Sequence, residues 1–265
     1  MIDLLNEGIV FIGAGNLAVN LACALKKKGY NILQVCNRDP ASGKSLARRT
    51  GAAYTGDLFS MTRDAGIIFL AVSDGAIRTI AEKINPGKSL VVHCSGTTGL
   101  NVLDELFVNR GVFNPVQTFL KTRPVSMKNV PFCIEANNGE NEKILTELAL
   151  NLGGKPYRLT SQQRMTVHLC SVMTSNFTNW LNSLAADILS TGGIPFEILL
   201  PLIRRTVKNA EKGNIFGSQT GPAMREDQEV IRKHMELLGD NAEYAEIYKK
   251  ITASIIKYKH SHGKL

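Results

Sequence analysis

The amino-acid sequence predicts an α/β protein in which a doubly wound parallel sheet is followed by a second, all-helical domain. In the first part of the chain, short apolar runs alternate with helical patterns, whereas after residue 158 only helical patterns follow. Strands that are apolar along their whole length are typical of a parallel sheet covered by helices on both faces. We therefore expect a first domain at 1–158 and a helical domain at 159–265.

The predicted elements follow one another in a regular order. Strands are expected at 8–12, 31–36, 67–72 and 89–94, and shorter strands at 111–113, 131–135 and 155–158. Helices of the first domain are expected at 16–29, 40–50, 75–84 and 140–152. Helices of the second domain are expected at 160–190, 195–213, 222–238 and 241–258. Right-handed crossovers bring the carboxyl ends of the strands to one edge of the sheet, where ligands bind.

Composition limits the classes of protein to which the chain can belong. Of its 265 residues, 44% are hydrophobic and 20% are charged, which is typical of a globular protein. The chain has no run of about eighteen apolar residues, so we expect no membrane span. Because the first strand begins within about eight residues, we expect no signal peptide. The five cysteines are scattered without metal-ligand spacing, so we expect no metal site and reduced thiols in a cytoplasmic protein.

The formal net charge of +8 raises the question of nucleic-acid binding. The basic residues are spread over several predicted helices, without the interleaved aromatic residues that nucleic-acid surfaces use. A solvated basic surface that attracts anionic nucleotides or acids explains the charge at least as well. We therefore expect a small-molecule partner and no nucleic acid.

The first strand runs directly into a glycine-rich turn with the G-x-G-x-x-A pattern of a dinucleotide site, formed by Gly13, Gly15 and Ala18. The first glycine permits a tight turn, the second lets a pyrophosphate approach the backbone, and the alanine lets the helix lie close to the strand. The helix N-terminus then faces the phosphates. The alternative is a tight turn without a ligand. The expected cofactor-binding residues are Gly13, Ala14, Gly15, Asn16 and Leu17.

The residues after the second strand bear on the choice between NAD and NADP. An NAD site usually places an acidic residue there to bind the ribose 2′-hydroxyl. Here Asn37 and Arg38 take that place, and a guanidinium suits a 2′-phosphate. Asp39 is interpreted as a helix N-cap because Pro40 follows it at the first helical position. The pattern favours NADP over NAD, and the alternative for Arg38 is a solvated surface charge.

Three further strand ends supply candidate site residues. After the third long strand, Ala71, Val72 and Ser73 are expected to let the ribose and nicotinamide pass, and the next residue, Asp74, is expected to be a helix N-cap. After the following strand, His93 is either a proton donor or a hydrogen-bonded structural histidine, and Ser95 points toward the same edge. A later turn adds the candidate substrate-binding residues Asn114 and Gln117, unless it is a simple proline-containing turn.

The helical domain also contains polar residues in an apolar context. His168, Asn176 and Asn179, with Ser175 adjacent, fall on roughly one face of a regular helix. Such a row is either a buried hydrogen-bonded seam or the wall of an active site. Farther along, Arg225 is a candidate clamp for a substrate carboxylate, and the alternative is an ordinary ion pair.

Several of these motifs together resemble those of the β-hydroxyacid dehydrogenases and pyrroline-5-carboxylate reductases. More narrowly, the chain resembles predicted NADP oxidoreductases that pair a Rossmann-like domain with a C-terminal domain of unknown function. The matching stretches are 13–18, 37–38, 71–72, 93–96, 114–119, 175–179 and 220–227, with the helix through His234 and Leu237–Leu238. The resemblance implies the two-domain fold, an NADP-type cofactor and a homodimer built on the helical domain, but no particular substrate.

The sequence departs from the patterns of these families at three positions. Asn114 stands where the narrower family has histidine, and Glu226 stands where it has glycine. The hydroxyacid dehydrogenases carry a catalytic lysine one turn before an asparagine. If Asn176 is that asparagine, Val172 occupies the lysine position, and His168 is the nearest titratable substitute.

Together these features predict an NADP-dependent oxidoreductase. It would transfer a hydride between nicotinamide and the carbonyl or imine carbon of a small polar or carboxylated substrate. His168 or His93 would handle the proton, and Asn176 is included among the catalytic candidates. The alternative is a non-catalytic NADP-binding sensor or scaffold, suggested by the missing lysine. A reductase that uses a deazaflavin is a third possibility.

Overall fold

The structure is a computed structural model, and it describes residues 7–63, 65–103, 106–213 and 215–262. Within these residues the strands form one eight-stranded sheet in the order β3-β2-β1-β4-β5-β6-β7-β8. Their bounds are β1 Ile9–Ile12, β2 Ile32–Cys36, β3 Ala53–Thr55, β4 Ile67–Leu70, β5 Leu90–His93, β6 Arg110–Pro115, β7 Pro131–Ala136 and β8 Lys155–Arg158. The doubly wound sheet that the sequence predicts is confirmed.

The sheet differs from the prediction in two respects. A short edge strand, β3, was not expected, and it pairs in parallel with β2. The pairing of β6 with β7 is antiparallel, whereas all the other pairs are parallel. Because β6 and β7 are joined without an intervening helix, the chain reverses direction there. The strand order changes direction at β1 and β4, so the crevice outside their carboxyl ends is where a nucleotide is expected to bind.

The chain divides into two compact units, Met1–Thr174 and Ser175–Leu265. The helices of the first unit are α1 Asn16–Lys27, α2 Pro40–Thr50, α3 Ile77–Ala81, α4 Gly139–Asn151 and α5 Ser161–Ser171. Those of the second unit are α6 Thr178–Thr191, α7 Leu200–Glu211, α8 Pro222–Arg225, α9 Gln228–Leu238 and α10 Ala242–His262. The helix-only character of the second part is confirmed, while α5 packs with the sheet-containing unit that precedes it. None of the described helices is long and apolar enough to cross a membrane.

The long helix expected at 160–190 is interrupted by a π-helical stretch, Val172–Phe177, that separates α5 from α6. Each π-helical residue bonds five positions along the chain instead of four, so the stretch shifts the faces of the helix on either side of it. A common face for His168, Asn176 and Asn179 requires 3.6 residues per turn throughout. This helix does not keep that period, so the predicted common face is wrong.

The two faces of the sheet have different cores. On one face Phe11, Phe69, Phe113 and Phe132 form a row, with successive ring centroids 5.0, 5.8 and 4.6 Å apart. Each fully buried aromatic ring of this kind contributes about 2 kcal/mol of hydrophobic stabilisation. The opposite face carries aliphatic side chains near β1 and β4 but polar ones farther along. The strand register brings His93 and Glu135 into one row there, with Val112 between them.

Candidate cofactor site and active site

The turn after β1 is shaped for a glycine at its first position. Gly13 has φ +108°, and a Cβ added to it would lie 2.3 Å from the backbone oxygen of Ala71. A side chain is therefore excluded both by the backbone conformation and by the neighbouring chain. The close approach of the Ala71 backbone therefore requires glycine at position 13.

The next glycine of the turn leaves open space. A Cβ added to Gly15 would have no atom within 4 Å, and Gly15 caps α1 without any side-chain hydrogen bond. The first turn of α1 carries no acidic side chain. Backbone N–H groups at a helix N-terminus, together with free space above a glycine, suit a pyrophosphate. The residues present therefore fit a dinucleotide, and Gly13, Gly15 and the start of α1 would hold its phosphates.

Four other residues of this region make structural contacts. Ala14 is buried, and Leu17 packs against the main core. The side-chain oxygen of Asn16 accepts a hydrogen bond from the backbone N–H of Lys121 at 3.1 Å. One turn later, the buried Asn20 donates to the carbonyl of Leu120 and accepts from the N–H of Val125. Helix α1 thus holds the loop that follows β6, a role of Asn20 that no local sequence pattern indicates.

The Asp39 side chain makes hydrogen bonds within the protein, whereas the Arg38 side chain makes none among the described residues. Asp39 is the N-cap of α2, because its carboxylate accepts from the N–H groups of Ala41 and Ser42 and from the Ser42 hydroxyl at 2.6 Å. The hydroxyl bond and then the Ser42 N–H bond hold the pKa of Asp39 below its usual value. The predicted cap is confirmed. Arg38 is exposed and makes no hydrogen bond or ion pair within the described part of the chain.

Asn37 orders the end of β2. Its amide donates to the carbonyl of Asp39 at 2.7 Å and to the hydroxyl of Ser42 at 3.0 Å. Its own carbonyl accepts from the hydroxyl of Tyr54 at 3.1 Å. The ammonium of Lys44 lies 5.8 Å from the centre of the Tyr54 ring. The region that would face a ribose therefore has one basic side chain in the loop, Arg38, a second on α2, Lys44, and a carboxylate that already caps α2.

At the end of β4, the position of the helix cap was predicted wrongly. Ser73, not Asp74, is the N-cap residue of the 3₁₀ turn Asp74–Ala76, and its side chain makes no capping bond. The Asp74 carboxylate instead accepts a hydrogen bond from the hydroxyl of Thr97. A hydroxyl from the loop after β5 competes for the carboxylate, and a sequence pattern within one loop could not reveal that partner. The backbone of Ala71 lies against Gly13, and Val72 packs against the second core.

His93 ends β5 as a fully buried side chain. Its Nδ1 accepts a hydrogen bond from the backbone N–H of Ser95 at 3.3 Å, which places the proton of the neutral ring on Nε2. Burial, and next the nearby cation of Arg164, lower the pKa of His93 to about 4. The ring is therefore neutral near pH 7 and closed to solvent. This geometry favours the structural interpretation of His93 over the role of proton donor.

The loop after β5 is organised by a serine hydroxyl. The Oγ of Ser95 accepts from the backbone N–H groups of Thr97 and Thr98 at 3.1 and 2.9 Å, and it donates to the Thr98 hydroxyl. Asn114, on β6, donates its amide to the carbonyl of Cys94 at 2.9 Å. The side chains proposed from sequence to bind substrate thus build the loop itself. Gln117 is exposed, and its side-chain oxygen accepts from the adjacent Thr118 N–H.

Helix α5 docks on this loop. The imidazole of His168 lies so close to Gly96 that a Cβ added there would be 2.6 Å from Nδ1. His168 is otherwise exposed, and it makes no hydrogen bond within the described residues. Because the Cβ–Nδ1 side of the ring faces the loop, Nε2 is the nitrogen turned away from it. An accessible imidazole is therefore held beside the end of β5, although the sequence assigned it to the other domain.

An ion pair one turn before this histidine joins a buried arginine to a partly exposed glutamate, and no sequence pattern predicts it. Arg164, one turn before His168, is only 1% exposed and pairs with the carboxylate of Glu135 on β7. Its second terminal nitrogen donates to the carbonyl of Thr98. A lone arginine in a polar helical turn carries no recognisable pattern, and only the fold brings it beside Glu135.

The remaining candidates lie in the second unit. Asn176 belongs to the π-helical stretch, as does Ser175, and π-helical turns recur at functional sites. Asn176 and Asn179 are exposed. Arg225 ends the short helix α8, and its guanidinium is exposed and has no ion-pair partner within the described residues. Arg225 therefore does not form the ordinary ion pair that was the alternative to a role in substrate binding.

Comparisons with known proteins agree with this architecture. Residues 8–96 match the family described as NADP oxidoreductase coenzyme F420-dependent, and residues 130–255 match a domain of unknown function, DUF2520. None of the curated proteins shows significant sequence similarity to the chain.

Solved structures extend the match to nearly the whole chain. A protein from Bacteroides fragilis, assigned as an NADP oxidoreductase, is 37% identical with a TM-score of 0.89, and the match covers 96% of this chain and 100% of that one. A Thermotoga maritima protein is 25% identical with a TM-score of 0.75, over 94% and 99% of the two chains. A reductive aminase from Aspergillus terreus, in complex with NADPH and ethyl-5-oxohexanoate, shares the fold at 12% identity and a TM-score of 0.70, over 97% and 95% of the chains. The chain therefore belongs to the NADP oxidoreductases that join a Rossmann-type nucleotide-binding domain to this C-terminal helical domain.

Proposed function

We propose that the enzyme prefers NADP and transfers a hydride between nicotinamide and the carbonyl or imine carbon of a small polar or carboxylated substrate. The observation that carries the proposal is the exposed imidazole of His168, held against Gly96 at the carboxyl edge of the sheet. A titratable, accessible group at that edge is what a hydride-transfer site needs in order to handle one proton.

The preference for NADP rests on the loop after β2. Arg38 is exposed and has no partner among the described residues, so it is available for a 2′-phosphate. The only carboxylate in this loop belongs to Asp39, and it is occupied by the N-terminus of α2 and the Ser42 hydroxyl. This loop thus has no free carboxylate to bind a ribose 2′-hydroxyl, whereas the guanidinium of Arg38 is free.

When bound, the nicotinamide cofactor supplies the hydride. The protein's own residues position the cofactor and the substrate and supply the proton. Gly13, Gly15 and the start of α1 would bind the pyrophosphate, and the loop built around Ser95 would form the floor of the site beside the end of β5. In the reductive direction, the carbon gains a hydride and the oxygen or nitrogen of the former double bond gains a proton.

The proton is assigned to Nε2 of His168. His93 is fully buried with its pKa lowered to about 4, so it would neither reach a substrate nor carry a proton near pH 7. An imine arrives largely protonated and needs little acid help, whereas a ketone needs an acid. We further propose that Asn176, Asn179 and Arg225 bind polar groups of the substrate, with Arg225 suited to a carboxylate.

The cofactor assignment is tested by thermal shift with NADPH, NADH and a deazaflavin. A ligand present at a hundred times its Kd stabilises the folded state by about 2.7 kcal/mol. We expect NADPH to raise the Tm strongly and NADH weakly, and Arg38→Ala to weaken NADPH binding by about tenfold while leaving NADH unchanged. Arg49→Ala, which removes another exposed arginine from α2, is the matched control. Equal Tm shifts with NADPH and NADH would contradict the proposed preference for NADP. A Tm shift with the deazaflavin alone would show that the deazaflavin is the cofactor.

The reaction is tested by NADPH oxidation with 1-pyrroline-5-carboxylate, an imine, and with cyclohexanone in the presence and absence of allylamine. We expect His168→Gln to slow ketone reduction more than imine reduction, because only the ketone depends on an acid. His93→Gln should affect the two substrates equally. If His168→Gln retains full turnover of the ketone, His168 is not the acid. If no carbonyl or imine substrate is reduced while NADPH binds tightly, a non-catalytic nucleotide-binding role takes the place of the reductase.

We also propose a homodimer through the helical unit. Helix α6 buries only Leu184, while Trp180 is 51% exposed and Leu181 40% exposed. Apolar surface of this extent is typical of a face that another chain covers. Light scattering after gel filtration should give twice the chain mass, and Trp180→Asp should reduce it to one. A monomeric wild type would refute the proposal.

A cytoplasmic location is proposed from the cysteines. Cys23, Cys36, Cys94, Cys133 and Cys170 are all free thiols in the structure. Free thiols of this number are typical of a reducing compartment. Thiol titration of the protein purified from its native cell, under denaturing conditions, should recover five thiols, and recovery of one or three would contradict the proposal.

A further inference from the structure

Three alternate residues of the loop after β5 contact three residues of helix α5 that lie about one turn apart. The backbone N–H of Leu100 donates to the hydroxyl of Ser161 at 3.0 Å. The carbonyl of Thr98 accepts from the guanidinium of Arg164. Gly96 touches the imidazole of His168. The loop and the helix therefore run alongside each other, and Arg164 makes the middle contact.

Arg164 is anchored from below by the sheet. Its Nη1 pairs with the Glu135 carboxylate, which also accepts the Ser161 hydroxyl at 2.8 and 3.0 Å to its two oxygens. One guanidinium thus joins β7, the loop after β5 and helix α5. A lysine has a single ammonium and could keep the contact with Glu135 without also reaching Thr98 in the same fork geometry.

Stability alone does not explain this arrangement. The Arg164 side chain is almost completely removed from water and that of Glu135 in large part, and well-packed apolar residues in the place of such a pair are often equally stable or more so. The Nε of Arg164 is in addition buried without a hydrogen-bond partner among the described residues. What the guanidinium provides that an apolar side chain cannot is a directional bond to the Thr98 carbonyl.

We infer that Arg164 is a positioning residue, which fixes the loop after β5 against α5 so that the His168 imidazole stays beside Gly96 at the reaction edge. The catalytic part of this inference rests on the proposed function. The positioning part rests only on the contacts of Arg164 with Glu135 and Thr98, and on that of His168 with Gly96.

The test uses Arg164→Lys, because this change retains the charge for Glu135 and removes the fork that holds Thr98. The matched control is Arg158→Lys, which alters an exposed arginine of the same unit that pairs with Glu142 at 3.1 Å. Three quantities are measured in the full-length protein. They are the Tm, the kinetic constants with NADPH and cyclohexanone, and the imidazole NMR resonance of His168, assigned by its loss in His168→Gln.

We expect Arg164→Lys to shift the His168 resonance toward that of a free histidine and to lower kcat about tenfold. The Kd for NADPH and the KM for the ketone should change less than threefold, because the phosphate turn after β1 does not depend on Arg164. Arg158→Lys should leave all these quantities unchanged. If Arg164→Lys does not fold, Glu135→Gln replaces it, since that change removes the carboxylate charge that anchors the Arg164 guanidinium and should shift the His168 resonance and lower kcat in the same way.

A lower Tm with an unchanged His168 resonance and unchanged kcat would show that Arg164 is only structural and would overturn the inference. If the wild type reduces no ketone or imine, the proposed function fails, and the His168 resonance still decides the positioning. A shifted resonance with full ketone turnover would overturn the link between the position of His168 and catalysis.

Discussion

The turn after β1 and the loop after β5 both end buried parallel strands at the same edge of the sheet, but they are stabilised differently. The first is shaped by its own glycines and by the backbone of Ala71 next to it. The second is held by side chains from distant parts of the chain, notably Asp74, Asn114 and Arg164. A turn shaped by its own backbone needs little outside help, whereas the loop after β5 depends on side chains that other elements supply.

The largest effect should come from Gly13→Ala. The new Cβ would lie 2.3 Å from the Ala71 oxygen at a φ of +108°, so both the conformation and the packing oppose it. We expect the free energy of unfolding to fall by about 4 kcal/mol. Urea denaturation measures it.

Gly15→Ala is the control for that change, since its Cβ would enter empty space. The free energy of unfolding should fall by less than about 1 kcal/mol, while NADPH binding weakens at least tenfold. Equal losses of stability in the two variants would contradict the view that only the first glycine is required for folding.

The next largest effect should appear in the pH dependence of stability. The pKa of His93 is about 4 in the folded protein and about 6.5 when unfolded, so below pH 6.5 the unfolded chain binds a proton that the folded chain does not. This contribution to stability is complete above pH 6.5 and is lost progressively as the pH falls to 4, by about 3 kcal/mol. Denaturation between pH 7 and 4 should therefore show a shallower decline in His93→Gln than in the wild type. Parallel declines would mean that His93 is protonated in the folded protein.

A smaller effect is expected from Gly96→Ala, the counterpart of Gly13→Ala at the other strand end. Here the Cβ would meet the side chain of His168 at 2.6 Å, and a side chain can move where a backbone oxygen cannot. We expect a loss of about 1 kcal/mol in unfolding free energy and a fall in kcat of about tenfold, with NADPH binding retained. Wild-type turnover would show that His168 does not need its contact with Gly96. The added methyl in Gly111→Ala, which meets Leu145 at 2.7 Å, provides a steric control away from the site.

The smallest effect is expected from Glu226→Gly, which tests whether every residue with positive φ requires glycine. Glu226 has φ +56°, in the left-handed region that non-glycine residues can reach, and this explains the glycine of related sequences. Its carboxylate binds Lys259 at 2.6 Å and His260 at 3.0 Å, and these bonds hold its pKa below the usual value. Glycine would relieve the backbone and remove both bonds, so the Tm near pH 7 should change little.

The same variant has a defined pH signature. Because the pKa of Glu226 is lowered by folding, its bonds stabilise the protein above the pKa of the unfolded carboxyl and weaken as the pH falls through the folded value. Glu226→Gly should therefore lose less Tm than the wild type on acidification. A greater loss of Tm in the variant would show that the carboxylate destabilises the fold.

Local signals were sufficient for the cofactor half of the site. Gly13 and Gly15 lie between an apolar strand and an amphipathic helix, and Asp39 followed by Pro40 forms a helix cap. All of these depend on neighbours within a few residues, so the sequence expresses them directly. The alternation of strands and helices likewise predicted the sheet, although the antiparallel step between β6 and β7 has no local signature.

Only the tertiary structure decided the rest of the site. His168 was expected in the helical domain, yet α5 packs with the sheet, and the π-helical stretch after it breaks the register on which the polar face was predicted. Asp74 accepts from Thr97 instead of capping a helix, and Arg164 reaches Glu135 and Thr98. These partners are 23, 29 and 66 positions apart in the chain. The sequence determined the strands, the helices and the phosphate turn because short-range conformational preferences set them, whereas the pairing of buried polar side chains depends on which distant elements the fold brings together.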